Sequence, residues 1–441
     1  MLSSEKYDLP FDLRPYQEEG VKFLSGNDCA LIADEMGLGK TVQTIIAIRN
    51  TMQKHRMRKV LIVVPSALKS NWLKEFEIWG GIIPKIVSGK KEKRIQMFKS
   101  RIPILLTTYE IIREDIELIK HTTEFDLIVL DEAQRIKNST SNTARSIKLL
   151  RKNFAWALTG TPVENSPEDI ASIFNFLKFG LLTKDDSIPE IKNTIHPYFL
   201  RRKKSEVFED LPEKIEQELY LDLSINQRLS YEETQSERMK LISKSSEKEK
   251  ISNILALITE LKKICNFDPI TKESAKLDRV KNIVQEKFSS GEKVILFSQY
   301  VESLKEIKES LVDIDTEIYH GSLMEDEKDS VLERFKSSAS PKLLLMSLRA
   351  GGVGLNLPEA STVILFDRWW NPALEEQAVA RADRFGRKNI LHVFKFIVSN
   401  SVEERIDELL KQKESLFEDI VEGTAEIVKK LSLKEITNIL E

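Results

Sequence analysis

The chain has 441 residues, 41% apolar and 31% charged, with 67 Lys and Arg against 70 Asp and Glu for a net charge of −3. That length exceeds what a single core fills, so at least two domains are expected, and the balance of charge excludes a molecule that gathers phosphate polymers by bulk electrostatics alone. Two cysteines, Cys29 and Cys265, with no CxxC pair argue against structural zinc or a disulfide framework, and no apolar run approaches the roughly 20 residues of a membrane span.

At the start, MLSSEKYDLPFDLRPYQ is polar and acidic and carries no secretory apolar core, so a cytoplasmic setting is expected, nucleoid-associated or in a host cytoplasm if the source is viral. Gln17, in LRPYQ, offers an amide that can read the donor–acceptor edge of adenine; a plain surface glutamine is the other reading. The next 150 residues then repeat one rhythm. CALIAD (29–34), KVLIVVP (59–65), PILLTTYE (103–110), FDLIVLDEA (125–133) and AWALTG (155–160) are continuous apolar runs separated by helical patterns. Runs of this kind suit strands buried on both faces, as in a parallel sheet with helical crossovers.

Residues 201–275 differ: they are rich in Lys, Glu, Ser and Leu at helical spacing, which predicts a helical connector. Its Arg201, Arg202, Lys203 and Lys204 form a local basic cluster, read either as a solvated face or as a phosphate contact. The strand rhythm returns in KVILFSQ (293–299), EIYHG (317–321), KLLLMSL (342–348), STVILFD (361–367) and LHVFKFIV (391–398). The tail from Ser401 to Ile420 predicts a charged amphipathic helix that packs back. The expected organisation is therefore an α/β lobe over 1–200, a connector over 201–275, a second α/β lobe over 276–400 and a helical brace over 401–441.

Only 16 glycines are present, and seven of them fall at Gly37, Gly39, Gly160, Gly351, Gly352, Gly354 and Gly386, which marks places of close backbone approach. The first group lies in DEMGLGKT (34–41), after a strand and before a helix, the context of a phosphate-cradling loop. Asp34, Glu35, Met36, Gly37, Leu38, Gly39, Lys40 and Thr41 are the candidate nucleotide contacts. Lys40 is expected on the β/γ-phosphates and the Thr41 hydroxyl on Mg²⁺. The general pattern wants glycine where Asp34 stands. DEAQ (131–134) closes the strand FDLIVL, so Asp131 is expected as the second Mg²⁺ ligand and Glu132 as the group that orients the attacking water. In QAVARADRFGR (377–387), Gln377, Arg381 and Arg384 stand at i, i+4 and i+7 and predict one helix face aimed at a phosphoryl group, with both guanidiniums as finger arginines. Gly354, in the loop after KLLLM, is a further candidate nucleotide contact.

Taken together and in this order, LRPYQ, DEMGLGKT, VVPSALKSNWLKEF, TTYE, DEAQRIKN, LTGTPVEN, ILFSQY, AGGVGLNLPEA and FDRWWNPALEEQAVARADRFGR resemble the superfamily-two helicases, and within them the SWI/SNF-family remodelling ATPases, over nearly the whole chain. Asp34 is part of that family's pattern, as is WWNP (369–372). The resemblance implies two RecA-like lobes, ATP and Mg²⁺ as cofactors, and stepping along double-stranded DNA without strand separation. It further implies phosphate-backbone contacts at Ser66, Lys69, Thr108, Thr159, Ser298, Gln299 and Ser347. DNA-bound proteins are implied as further partners, with no membrane or zinc, and a monomer is expected. Asp383 and Arg387 depart from the family's usual residues in RADRFGR.

Overall fold

Each of the ten apolar runs becomes a strand, and the reason is visible in the burial: β2 (Val60–Val64), β4 (Ile104–Thr108), β11 (Leu343–Ser347) and β12 (Ala360–Leu365) have no exposed residue on either face. The computed structural model describes residues 12–160, 167–182, 186–207, 212–243, 247–348, 355–384, 387–412, 437, 439 and 440. The chain divides into two units, residues 1–209 and 210–441, each built on a parallel sheet flanked by helices. In the first unit β1 (Cys29–Ile32), β2, β3 (Lys85–Ile86), β4, β5 (Glu124–Leu130), β6 (Arg151–Leu158) and β7 (Phe199–Leu200) lie in the order β3-β4-β2-β5-β6-β1-β7. The second holds β8 (Lys214–Leu221), β9 (Lys293–Ser298), β10 (Thr316–Tyr319), β11, β12 and β13 (Leu391–Val398) in the order β10-β11-β9-β12-β13-β8.

The two-residue side-chain period distributes each strand over two cores. Val294 and Leu296 of β9 join Leu343, Leu345, Ile364 and Phe396 on one face of the second sheet. Ile295 and Phe297 join Leu344, Met346 and Val363 on the other.

The segment 201–275 does not stand apart as a helical connector. Lys214–Leu221 is a strand, pairing in parallel with all of β13 from Leu391↔Lys214 to Val398↔Leu221. It is an edge strand with alternating charged residues, so it lacks the continuous apolar signature of its neighbours. The helices Ile225–Ile242 and Glu247–Asn266 follow it, and Ile254, Leu257, Ile258 and Leu261 of the latter bury in the same core as Ile295 and Phe297. That spacing is an i, i+3, i+4, i+7 stripe, and it needs the face of the second sheet to cover it. The division therefore falls near residue 209, and most of the expected connector is part of the second unit.

The C-terminal helix spans Val402–Gln412 and also belongs to this unit; residues 413–420 of the expected helix lie outside the described residues. Val402, Ile406 and Leu410 enter the core. Its buried carboxylates are paired: Glu403 with Lys276 at 2.7 Å, both fully buried, and Asp407 with Arg368 at 2.5 Å. Among the described residues no helix is long and apolar enough to cross a membrane.

Candidate nucleotide-binding site

The carboxyl ends of three neighbouring strands, β5, β6 and β1, deliver Asp131, Thr159 and Asp34 to one edge of the first sheet. From β1 the chain turns through Gly37 (φ 94°) and Gly39 (φ 74°), left-handed conformations that glycine adopts without strain, into the helix Lys40–His55. Lys40 Nζ donates to the Asp34 carbonyl at 2.6 Å and the Glu35 carbonyl at 3.4 Å. The chain after β6 comes close to it: a Cβ on Gly160 would meet Met36 Cγ at 2.5 Å and Lys40 Nζ at 3.4 Å. Thr41 is the second residue of the helix, half-buried beside Lys40. Gln17 is half-buried and lies against this loop. Its Oε1 accepts from the Arg14 N–H at 3.1 Å, and its Nε2 would lie 2.6 Å from a Cβ on Gly39.

Gly39→Ala is expected to strain the left-handed turn by about 1–2 kcal/mol and displace Gln17. Fluorescent-nucleotide titration should show roughly tenfold weaker binding, since 1.4 kcal/mol is a factor of ten. Unchanged affinity would show that nucleotide does not sit on this loop.

At the end of β5, Asp131 is buried and Glu132 half-exposed. Asp131 Oδ2 accepts from the Trp72 indole N–H at 2.7 Å, Oδ1 from the Glu132 N–H at 2.9 Å, and the Tyr109 hydroxyl donates to the Asp131 carbonyl at 2.7 Å. Burial, and then the charge of Glu132, push the Asp131 carboxyl up to about 7. Glu132 itself is left-handed (φ 54°, ψ 53°), a costly conformation for a glutamate that swings its side chain off the strand direction. Its Oε2 accepts from Gln134 Nε2, and Gln134 Oε1 accepts from the Thr159 hydroxyl at 2.8 Å.

The donor set fits a nucleotide-bound Mg²⁺. Among the described residues no group of three or more His, Cys, Asp and Glu makes a protein cage. One buried carboxylate and one hydroxyl suit a cation that keeps phosphate and water as its other ligands. The burial of Asp131 at the strand end favours it, because a divalent cation stabilises the ionised carboxylate that burial opposes.

Asp34 does not line the phosphate cradle as expected. It is fully buried and held by Arg202, Nη2 to Oδ2 at 2.5 Å and Nε to Oδ1 at 3.1 Å. Arg202 also donates to Gln43 Oε1 at 2.9 Å and to the Tyr16 carbonyl, and a Cβ on Gly20 would collide with Gln43 Oε1 at 1.8 Å. Lys204 is buried as well, its N–H bonding Glu35 Oε2 at 2.8 Å, and the Glu35 N–H bonds the Arg202 carbonyl at 3.0 Å. The basic cluster is thus half structural: Arg202 and Lys204 stitch β1 and the phosphate loop to the chain after β7.

Several expected phosphate contacts are committed elsewhere. Thr108 is buried and its hydroxyl caps the helix Tyr109–Ile119. Thr159 is fully buried against Gln134. Ser298 is fully buried and donates to Asp367 Oδ2, and Ser347 is buried at the end of β11. Ser66 is exposed, Lys69 half-buried, and Gln299 half-buried with Nε2 on the Arg368 carbonyl at 3.2 Å.

The helix face predicted for Gln377, Arg381 and Arg384 does not form. The helix Pro372–Val379 ends before both arginines, where the Arg381 N–H turns to the Ala378 carbonyl at 3.1 Å and the Ala382 N–H to the Val379 carbonyl at 3.0 Å; the Arg381 carbonyl accepts from the Leu357 N–H at 2.9 Å. Gln377 and Arg381 are buried, and Arg384 is half-buried with Nε on the Ala380 carbonyl at 3.1 Å. The two departures in this segment are partners: Arg387 Nη2 meets Asp383 Oδ1 at 3.1 Å, and Nη1 reaches the Glu213 carbonyl at 3.0 Å. Gly354, with Gly351, Gly352 and Gly386, lies outside the described residues.

Two family models match the chain: the SNF2-related domain over residues 16–270 and the helicase conserved C-terminal domain over 275–386. An uncharacterized ATP-dependent helicase of Mycoplasma genitalium is 34% identical over 98% of this chain and 44% of its own length. A chromodomain-helicase-DNA-binding protein 3 homologue of Caenorhabditis elegans is 29% identical over 97% of this chain and 28% of its own. The chain spans half or less of the length of these curated relatives. Among solved structures, the Sulfolobus solfataricus SWI2/SNF2 ATPase core in complex with double-stranded DNA is 31% identical, covering 99% of this chain and 98% of that one, with a TM-score of 0.46.

Proposed function

The chain belongs to the SNF2-related family of superfamily-two ATPases, and on that premise we propose that it is an ATP-dependent translocase on double-stranded DNA that displaces or repositions DNA-bound proteins. The observation that carries the reading is the convergence of Lys40, Asp131 and Glu132 at one sheet edge, with Glu132 held off the strand axis by Gln134 and Thr159. When bound, ATP and Mg²⁺ supply the phosphoryl group and neutralise its charge. Lys40 leaves the loop carbonyls for the β/γ-phosphates, while Thr41 and Asp131 hold the cation. Gln17 reads the adenine edge, and Glu132 accepts a hydrogen bond from the attacking water and orients it in line. Arg381 and Arg384, which with Gln377 are the finger candidates that the family resemblance implies, stand on a turn whose shape Arg387 and Asp383 fix.

Ser66, Lys69 and Gln299 are the proposed phosphate contacts, because they are the candidates whose side chains reach the surface. Contacts of this kind position a motor without reading sequence. Thr108, Thr159, Ser298 and Ser347 act one layer below, shaping the loops that carry them.

Duplex DNA should raise ATP turnover at least several-fold over the basal rate, more than single-stranded DNA or RNA does, and the chain should displace a triplex-forming strand without separating a duplex. Equal turnover with and without duplex, or duplex unwinding without triplex displacement, would overturn the reading.

A further inference from the structure

We propose that Trp72 is a positioning residue for the Asp131 carboxylate, and that the helix Lys69–Trp79 which carries it transmits duplex engagement to the cation site. This rests on the translocase reading for the identity of the duplex. Trp72 is fully buried, and its indole N–H donates to Asp131 Oδ2 at 2.7 Å. The second oxygen is taken by the Glu132 N–H at 2.9 Å, so the plane of the carboxylate is set by two hydrogen bonds. An indole has one donor and no acceptor, and Phe or Leu would fill the same core without aiming at an acid. The presence of the polar tip against this oxygen is what the packing alone does not require.

The geometry around that bond makes a short lever. β2 runs straight into the turn Ser66–Leu68 and the helix Lys69–Trp79. β2 pairs with β5, Val63 opposite Leu130, and the Asp131 N–H bonds the Val63 carbonyl at 2.9 Å. The surface end and the acidic end therefore start from adjacent strand termini. Lys69 and Trp72 are three apart on one helix and share a face, and Trp72 packs on Phe76 at 6.1 Å between ring centroids. A phosphate drawn to Ser66 or Lys69 would pull on this helix, which packs against the helix Lys40–His55 and reaches the acidic end through the indole on Asp131. Groups that hydrogen-bond a metal-ligating side chain typically change metal affinity by about 10–100-fold when removed.

The test uses the full chain and two readouts: the Mg²⁺ half-saturation of fluorescent-ADP binding, and duplex-stimulated turnover. Trp72→Phe is expected to raise the half-saturation roughly tenfold or more, to leave metal-free nucleotide binding unchanged, and to lower stimulated turnover more than basal turnover. Tyr109→Phe is the control, since it removes an equally buried hydrogen bond from the main-chain carbonyl of the same aspartate without touching the carboxylate. It should leave the Mg²⁺ half-saturation where it is. A third arm does not depend on how Trp72→Phe folds: duplex DNA should lower the half-saturation of the wild-type chain and not that of Lys69→Ala. Combining Lys69→Ala with Trp72→Phe should reduce stimulation no further than Trp72→Phe alone. An unshifted half-saturation in Trp72→Phe, an equal shift in Tyr109→Phe, or additive losses in the double variant would overturn the proposal. Wild-type turnover indifferent to duplex would instead defeat the translocase reading, leaving the indole's effect on Mg²⁺ to be read from the ADP titration alone.

Discussion

Replacing Glu132 by Gln is expected to leave ATP binding at wild-type strength and to lower turnover about 10²–10⁴-fold, or about 3–5 kcal/mol of transition-state stabilisation. The expectation follows from geometry. Glu132 stands directly after a strand end in a left-handed conformation, which a buried sheet edge tolerates only because Asp131 Oδ1 accepts its N–H and Gln134 holds its carboxylate. Glutamine keeps the size and a hydrogen-bonding oxygen but loses the charge that draws a proton from water. Binding is spared because Lys40 and the loop backbone do not depend on Glu132. Thr159→Val removes the far end of the same relay, and a smaller loss confined to kcat is expected. The decisive comparison is single-turnover hydrolysis set beside nucleotide affinity: turnover in Glu132→Gln within a few-fold of wild type would remove Glu132 from the chemistry.

The strands were readable in the sequence because a parallel sheet buries both faces and so writes itself as unbroken Ile/Leu/Val runs, as in β2 and β11. β8 was hidden by the same logic inverted. At the sheet edge Lys214–Leu221 alternates and stays largely solvated, so its polarity reads as connector until β13 supplies the ladder. The apolar stripe of Glu247–Asn266 was visible, but which sheet covers it is a long-range fact that periodicity does not carry. The charged centre was readable for a different reason: Asp131 and Glu132 directly follow a strand end, Lys40 opens the helix after the glycine loop that leaves β1, and strand ends in such sheets face one edge.

The hydroxyls of Thr108, Thr159 and Ser298 turn inward because Ser and Thr at strand ends have local partners within reach, a helix N-terminus, Gln134 and Asp367 respectively. Spacing cannot show which partner wins. The same limit hid Trp72, Tyr109 and Gln134, whose work is done through contacts 22–59 residues away in sequence or with a neighbour two residues along. The predicted arginine face does not form because an i, i+4, i+7 pattern assumes the helix continues, and the chain tightens at Arg381, whose N–H bonds the Ala378 carbonyl three residues back.

Arg202→Met is expected to cost the first unit about 3–5 kcal/mol of stability in urea unfolding, because it leaves Asp34 fully buried with its charge unopposed. Arg202 donates to five oxygens: both of Asp34, the Gln43 amide, the Tyr16 carbonyl and Glu19, so its loss also loosens the helix Pro15–Gly26, which brings Gln17 to Gly39. Methionine keeps much of the length and apolar stem, which isolates the charge from the packing. Pairing the change with Asp34→Asn should recover most of the loss, since the acid that needed the guanidinium is then neutral. ATP affinity separates a structural tie from a simple weld. With Asp34 ionised and unpaired beside the phosphate loop, the single variant should bind ATP more weakly than the double variant, by an amount that shrinks as salt screens the repulsion. Equal destabilisation in the single and double variants would show that the packing of the Arg202 stem, and not the buried ion pair, is what joins the phosphate loop to the chain beyond β7.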